Sequence, residues 1–384
     1  MIKSHHEEPL NASPSDIIDS TSIMTLEHDA HSIAGIRQAT QLAQDMIQTA
    51  SIKATQPSPS PSPCSSPTKT TPPITTDEIN THIHHLLLTH KARPTFFHQN
   101  HVKNNSSSTL SSHSDDLFPK CLCANINEVV SMGIPDSRPL QSGDLLTLEL
   151  EVLVMRNGDD GVTRKRTSAL GRASSTFVIQ PTGATNNTNI SVTSSPFQGT
   201  NNWSDEDKCS NEYEEERLNR MLHLQQAASD GLEAAITKCR SGMPIQELQN
   251  IIASVAVKNG VRSLQQPMIR ILVHHSCSHF KRDLSNTNIK DEYFLVNDGW
   301  KWLETTATTK IKKMTQERNG SDKFQIPERL ESGMVINIRP IYVEGHYACV
   351  QWANGWTGST VDGGLAAQAE GTIFINHHGE AEKL

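Results

Sequence analysis

The chain of 384 residues holds no stretch approaching the roughly 18 consecutive apolar residues of a membrane-spanning helix, so nothing in it predicts a membrane partner. Its first residues, MIKSHHEEPLNASPSD, carry acids and no apolar run, and resemble neither a secretory signal nor an Arg-rich transit peptide. Hydrophobic residues make up only 35%, low for a fully packed chain of this length, so part of the sequence is expected to lie outside any core. Basic residues are in deficit: 34 Lys and Arg against 42 Asp and Glu leave a net charge of −8, which argues against broad polyanion binding and carries no nucleic-acid signature. The seven cysteines are odd in number and irregularly spaced, which excludes a disulfide framework and points to a reducing compartment, the cytosol.

What is present is a set of periodic segments separated by polar tracts. Residues 1 to 26 read as disordered, and Ile33, Ile36, Ala39, Leu42, Ala43 and Met46 predict an amphipathic helix from His31 to Ile52. A Pro/Ser tract, PSPSPSPCSSP, follows, and Thr75 with Glu78 forms a capping-box pattern opening a second helix. In LLTLELEVLV, alternation puts Leu146, Leu148, Leu150 and Val152 on one face of a strand and Thr147, Glu149 and Glu151 on the other. RNGDDGVTRKRTSALGR leads from there to a strand near Ser174 to Gln180, an enlarged hairpin. Further on, a helix is expected from Glu214 to Cys239, and another opens at Pro244 and stops at Gly260. IRILVHHSC, MVINIRPIYV, YACVQW and GTIFIN read as strands. Low-complexity insertions are expected near 54–74, 99–117, 181–212 and 283–330, within one domain spanning 27–384. Interleaved strands and helices suit an α/β or α+β domain.

The block INEVVSMGIPDSRPLQSGDLLTLELEV at 126–152 resembles the type I methionine aminopeptidases, pita-bread metallopeptidases whose corresponding segment reads NEVVCHGIP, a GD turn and a strand. Asn127, Glu128, Val129, Val130, Gly133, Ile134, Pro135, Gly143 and Asp144 match. The resemblance extends over most of residues 31–384 through HHSCS, NIRP, GWTGSTVDGGL and AAQAEGT. It implies an α+β pita-bread fold, a curved antiparallel sheet backed by helices. The lack of a long helical insertion between NIRP and AAQAEGT favours type I over type II.

The family holds two divalent metals with two aspartates, a histidine and two glutamates, and the metal pair activates a water and polarises the scissile carbonyl. Carried onto this chain, the first position falls at Glu149, one methylene longer than aspartate. The second falls at Arg172 if ASSTFVIQ is the family strand, or at Asp160 if the hairpin aligns differently. The third is His275, whose flanking glycines have become His274, Ser276 and Ser278. The fourth is Arg339, in NIRP, and the fifth is Glu370. Two substrate-pocket histidines fall at Met132 and Arg282. Alternation also puts His275, Cys277 and His279 on one face, leaving a lone zinc site as a third reading.

Glu149 and Glu370 contribute two negative charges and Arg172 and Arg339 two positive ones, so these four positions sum to zero before any metal arrives. Arginine stays protonated, and the guanidinium groups are expected to fill the metal space and pair with the glutamates. The resulting expectation is a methionine-aminopeptidase-like protein with lost or severely reduced hydrolysis, holding no metal or one weakly bound divalent cation, and binding a peptide N-terminus or a protein partner, the ribosome among them. The alternative is an active enzyme that removes initiator methionine, with His275 and Glu370 catalytic, using Glu149, Asp160, His275 and Glu370 around one metal, or the family's two divalent cations (Mn, Co, Fe or Zn).

Overall fold

The structure is a computed structural model, and it describes residues 23–25, 27–55, 73–96, 118–157, 166–179, 205–264, 268–276, 300–305 and 327–384. Two long antiparallel strands organise the first half: β5 (Leu145–Asn157) and β6 (Arg166–Val178). They pair without a break from Leu145↔Val178 to Asn157↔Arg166, which is the expected enlarged hairpin, with β6 starting earlier than Ser174. On its other edge β5 pairs with β2 (Ala92–Pro94) and β3 (Leu122–Ile126).

Two helices cover one face of this sheet: α1 (Ala30–Thr55) and α2 (Thr76–Thr89). The predicted apolar stripe of α1 is the buried one, since Ile33, Ile36, Ala39, Ala43 and Met46 join Leu146, Leu148, Leu150 and Val152 in one cluster. Thr75 caps α2 as its sequence predicts: its hydroxyl accepts from Glu78 N, and Glu78 returns a carboxylate to Thr75 N. At Gly171 the backbone of α1 comes so close to β6 that an added Cβ would stand 2.1 Å from the Ala39 carbonyl carbon.

The second half repeats the scheme. Strand β10 (Val335–Ile338) lies between β8 (Ile269–Ser276) and β15 (Gly371–Ile375). Strands β1 (Ile23–Thr25), β9 (Trp300–Thr305) and β16 (Ala381–Lys383) extend this sheet. Helices α3 (Asp205–Lys238) and α4 (Ile245–Lys258) pack against it, burying Met221, Leu224, Ala228, Leu248 and Ile252 with Ile269, Ile271, Ile336 and Ile373. A bridge between Ser175 and Ala369 joins the halves. Two three-stranded sheets complete the described architecture: β7 (Arg262–Ser263), β11 (Ile341–Val343) and β14 (Ala366–Gln368), and β4 (Val129–Ser131), β12 (Cys349–Gln351) and β13 (Gly358–Thr360).

Several expectations need correction. Residues 23–25, read as disordered, form β1, which pairs with β8. Helix α3 begins at Asp205, inside the tract read as a loop, and β9 lies inside the insertion expected over 283–330. MVINIRPIYV is two strands, because Pro340 has no N–H to carry the ladder forward and the chain leaves one sheet for another at Arg339 and Pro340. The Pro/Ser tract and the expected insertion over 99–117 lie outside the described residues.

Candidate functional site

Face parity assembles the site. In the β5–β6 ladder Glu151 stands directly opposite Arg172 and Glu149 opposite Ser174, while on the other side Cys123 stands opposite Glu149. With a side-chain period of two, Glu149, Glu151, Arg172, Ser174, Thr176 and Asn125 therefore share the face turned away from α1 and α2. That face meets the second half of the chain. Arg339 arrives from the end of β10 and Glu370 from the step between β14 and β15.

Each nitrogen of the Arg172 guanidinium meets a different carboxylate. Nη2 donates to Glu149 Oε2 at 2.5 Å, Nη1 to Glu151 Oε2 at 3.3 Å, and Nε to Glu370 Oε1 at 2.7 Å. Arg339 Nη1 adds a bond of 2.7 Å to the same Glu149 Oε2. Asn125 Nδ2 donates to Glu149 Oε1 at 2.8 Å, and the Thr95 hydroxyl donates to Glu151 Oε1. The Arg172 guanidinium carbon lies 5.4 Å from the centre of the Phe96 ring.

The charged side chains are almost wholly removed from water, with relative exposures of 2% for Glu149, 4% for Arg172 and 0% for Glu370. Burial by itself would raise the Glu149 pKa, but the charges of Arg339, Arg172 and Arg270 and the Asn125 amide outweigh it and hold the carboxyl below its ordinary value. Burial pushes Arg172 the other way, toward neutrality, and Glu370, Glu149 and Glu151 more than reverse that, so its pKa is raised. The cluster is not fully satisfied, since Glu370 Oε2 and Arg339 Nε have no hydrogen-bond partner among the described residues.

Beside the ions lies an apolar cluster. Phe96, Phe118 and Cys123 are buried together, with Met132, Ile134 and Trp356 packed against them. Phe118 meets Trp356 edge-on at 5.5 Å, and Cys123 Sγ approaches Met132 Sδ at 3.8 Å. Met132 has a φ of 52°, which few side chains adopt without support; here Thr357 Oγ1 donates to its carbonyl at 3.2 Å.

Of the residues singled out by sequence, Glu149, Arg172, Arg339 and Glu370 come together, and Met132 lies in the adjoining apolar cluster. His275 lies on β8 opposite Met24 of β1. Asp160, Arg282, Cys277 and His279 lie outside the described residues. The neutral charge count also changes, because Glu151 is a third carboxylate on Arg172 and the five side chains sum to −1, with Arg270 nearby adding a positive field. Sequence reasoning put Glu151 on the right face without assigning it to the site, and it missed Asn125, Thr95 and Phe96. The signal for Glu151 was the alternation itself.

No protein-family model matches the chain. Among curated proteins it is similar to methionine aminopeptidase 1b of Plasmodium falciparum, 25% identical over 317 residues covering 81% of this chain and 42% of that one. A mitochondrial methionine aminopeptidase 1D of Danio rerio is 25% identical, covering 80% of this chain and 61% of the relative. Methionine aminopeptidase 1 of Saccharomyces cerevisiae is 22% identical, with 80% and 54% covered. The chain thus spans about half the length of these relatives. In three dimensions it superposes on the methionine aminopeptidase of Rickettsia prowazekii with a TM-score of 0.54 at 18% identity, covering 93% of this chain and 98% of that one. The enzyme of Thermotoga maritima gives 0.53 at 15%, covering 94% and 98%.

The chain is methionine-aminopeptidase-like, with the pita-bread fold. In a methionine-aminopeptidase-like chain the question is what the central carboxylates hold, and here they hold arginine. Among the described residues no group of three or more His, Cys, Asp and Glu side chains has the arrangement of a metal site. Glu149, Glu151 and Glu370 are close neighbours, but each presents an oxygen to the Arg172 guanidinium. Two dications do not fit that donor set as it stands. A unit positive charge about 4.5 Å from a dication costs roughly 7 kcal/mol at an effective dielectric of ~20, and arginine cannot relieve this by losing its proton. Among the described residues no helix is long and apolar enough to cross a membrane.

Proposed function

We propose that this methionine-aminopeptidase-like protein has lost, or nearly lost, dimetal hydrolysis, and that it works by binding a peptide N-terminus or a protein partner, the ribosome among the candidates, in the cytosol. The observation that carries the reading is the single guanidinium of Arg172 bonded at once to Glu149, Glu151 and Glu370. In this reading Glu149 and Glu370 are retained ligand positions, Arg172 and Arg339 are replaced ones, and His275 is a histidine left without its metal partners. The arginines supply internally two of the four positive charges that two dications would bring, so the fold keeps its buried carboxylates paired without a metal ion.

The test is direct. The purified protein is analysed for bound metal and assayed for release of methionine from a Met-Ala-Ser peptide with Mn or Co added. The expected result is no stoichiometric metal and no metal-dependent turnover. Turnover that requires metal and disappears in His275→Ala or Glu370→Ala would overturn the proposal in favour of an active aminopeptidase. As a reciprocal measurement, Arg172→Asp combined with Arg339→Glu is expected to gain divalent metal binding.

A further inference from the structure

A second surface, sharing no residue with the ion cluster, has the features of a peptide-binding edge. Strand β12 is the outer member of its sheet, and no described strand pairs with its far side. The hairpin register runs Cys349↔Thr360, Val350↔Ser359 and Gln351↔Gly358. It is extended by Trp352 N donating to Thr357 O at 2.8 Å and Val361 N to Ala348 O at 3.1 Å. Those bonds turn Ala348 and Trp352 toward β13. Alternation then directs the backbone N–H and C=O groups of Cys349 and Gln351 outward. The segment YACVQW carries none of the lysines or prolines that blunt an exposed edge.

The same hairpin exposes apolar surface. Val350 and Trp352 lie on one face of β12, and Val361, opposite Ala348, shares it; they are 48%, 46% and 47% exposed. Trp352 is held in place by its Nε1 donating to Ser359 Oγ at 2.8 Å.

Trp352 also walls a cleft of about 370 Å³, together with Glu128, Asp136, Arg138 and Asn354. The charges in and under this cleft do not balance. Arg138 commits both terminal nitrogens to Asp144, at 2.8 and 2.9 Å, while Glu128 and Asp136 also lie within its electrostatic reach. One cation faces three carboxylates. A cleft with surplus negative charge and an immobilised indole favours a cationic side chain.

We infer that the free edge of β12 and the adjoining cleft bind an extended, positively charged peptide segment. The segment adds a strand to the sheet, covers Val350 and Val361, and lays an arginine or lysine side chain against Trp352 near Glu128 and Asp136. Main-chain bonding to Cys349 and Gln351 supplies affinity, and the cleft supplies selection for positive charge.

The experiment titrates the full chain by calorimetry with a six-residue peptide alternating arginine and threonine, N-acetylated and C-amidated so that no free N-terminus is present. The expected result is saturable binding that weakens with added salt, and none for the same peptide with glutamate replacing arginine. Glu128→Gln with Asp136→Asn is expected to weaken binding roughly tenfold. Trp352→Ala should cost roughly fivefold. Gln351→Pro, which removes an outward N–H, should weaken binding more than Gln351→Ala, which loses the same side-chain bond to Gly355 O but keeps the N–H. Glu370→Gln should leave affinity as it was. Equal binding of the glutamate peptide, no binding of either, or loss of binding only in Glu370→Gln would each overturn the inference. The last control keeps this surface separable from the proposal for the central site.

Discussion

Arg172 Nε and Glu370 Oε1 lie 2.7 Å apart although 198 positions separate them in the chain. The bond runs from the middle of β6 to the step between β14 and β15, so one arginine ties the first half of the fold to the second. The same guanidinium holds Glu149 and Glu151 on its own sheet.

Arg172→Met removes the cation and leaves three carboxylates facing one another, with Arg339 still paired to Glu149. Breaking a buried ion pair from one side typically costs about 3–5 kcal/mol, and that loss is expected in urea unfolding. A change below about 1 kcal/mol would show that the cluster does not hold the halves together.

Glu149 and Glu370 are expected to differ. Glu149 accepts from Arg172, Arg339 and Asn125, whereas Glu370 Oε2 has no partner among the described residues. Glu149→Gln should therefore cost more than Glu370→Gln, by about 1–3 kcal/mol in matched denaturation curves. Equal losses would contradict the unequal bonding.

The pH dependence follows from Glu149. Its folded-state pKa is held below the ordinary carboxylate value, so its contribution is fully present above the unfolded pKa and is lost as pH falls through the folded one. The urea midpoint is expected to drop as pH falls below the ordinary glutamate value of 4.5, with a slope from this group of up to about 1.4 kcal/mol per pH unit. Glu149→Gln should flatten that slope. An unchanged slope in the variant would assign acid sensitivity to other groups.

Gly171→Ala tests the other face of the same strand. The new Cβ would stand 2.1 Å from the Ala39 carbonyl carbon and 2.2 Å from Thr40 N, backbone atoms of α1 that cannot rotate aside. Overpacking of this kind costs about 1–3 kcal/mol or more, and a clear fall in Tm is expected by circular dichroism. A neutral result would mean that α1 shifts on β6 at little cost.

Much of the layout was legible because it is local. The stripe of α1, the capping box of α2 and the alternation in LLTLELEVLV depend only on neighbours a few residues away, and each lies where its period puts it. The site was legible in part. The motifs NIRP and AAQAEGT pointed to Arg339 and Glu370, and the guanidinium groups do pair with the glutamates. Asp160 was weighed against Arg172 because the hairpin between β5 and β6 hides the alignment, and the structure describes only Arg172 of the two.

By itself the sequence determined which faces are apolar and which carry charge, since strand and helix periods are properties of the local backbone. It could not decide that Glu151 joins Glu149 on Arg172, or that Phe96 lies beneath the guanidinium. The Arg172–Glu370 and Arg339–Glu149 bonds exist only once two sheets are brought together, and a buried charge takes whatever opposite charge the packing leaves within reach. The resemblance to an enzyme is written in the local motifs, whereas the bonding of one guanidinium to three carboxylates is seen only in the tertiary fold, because it takes side chains from both halves of the chain.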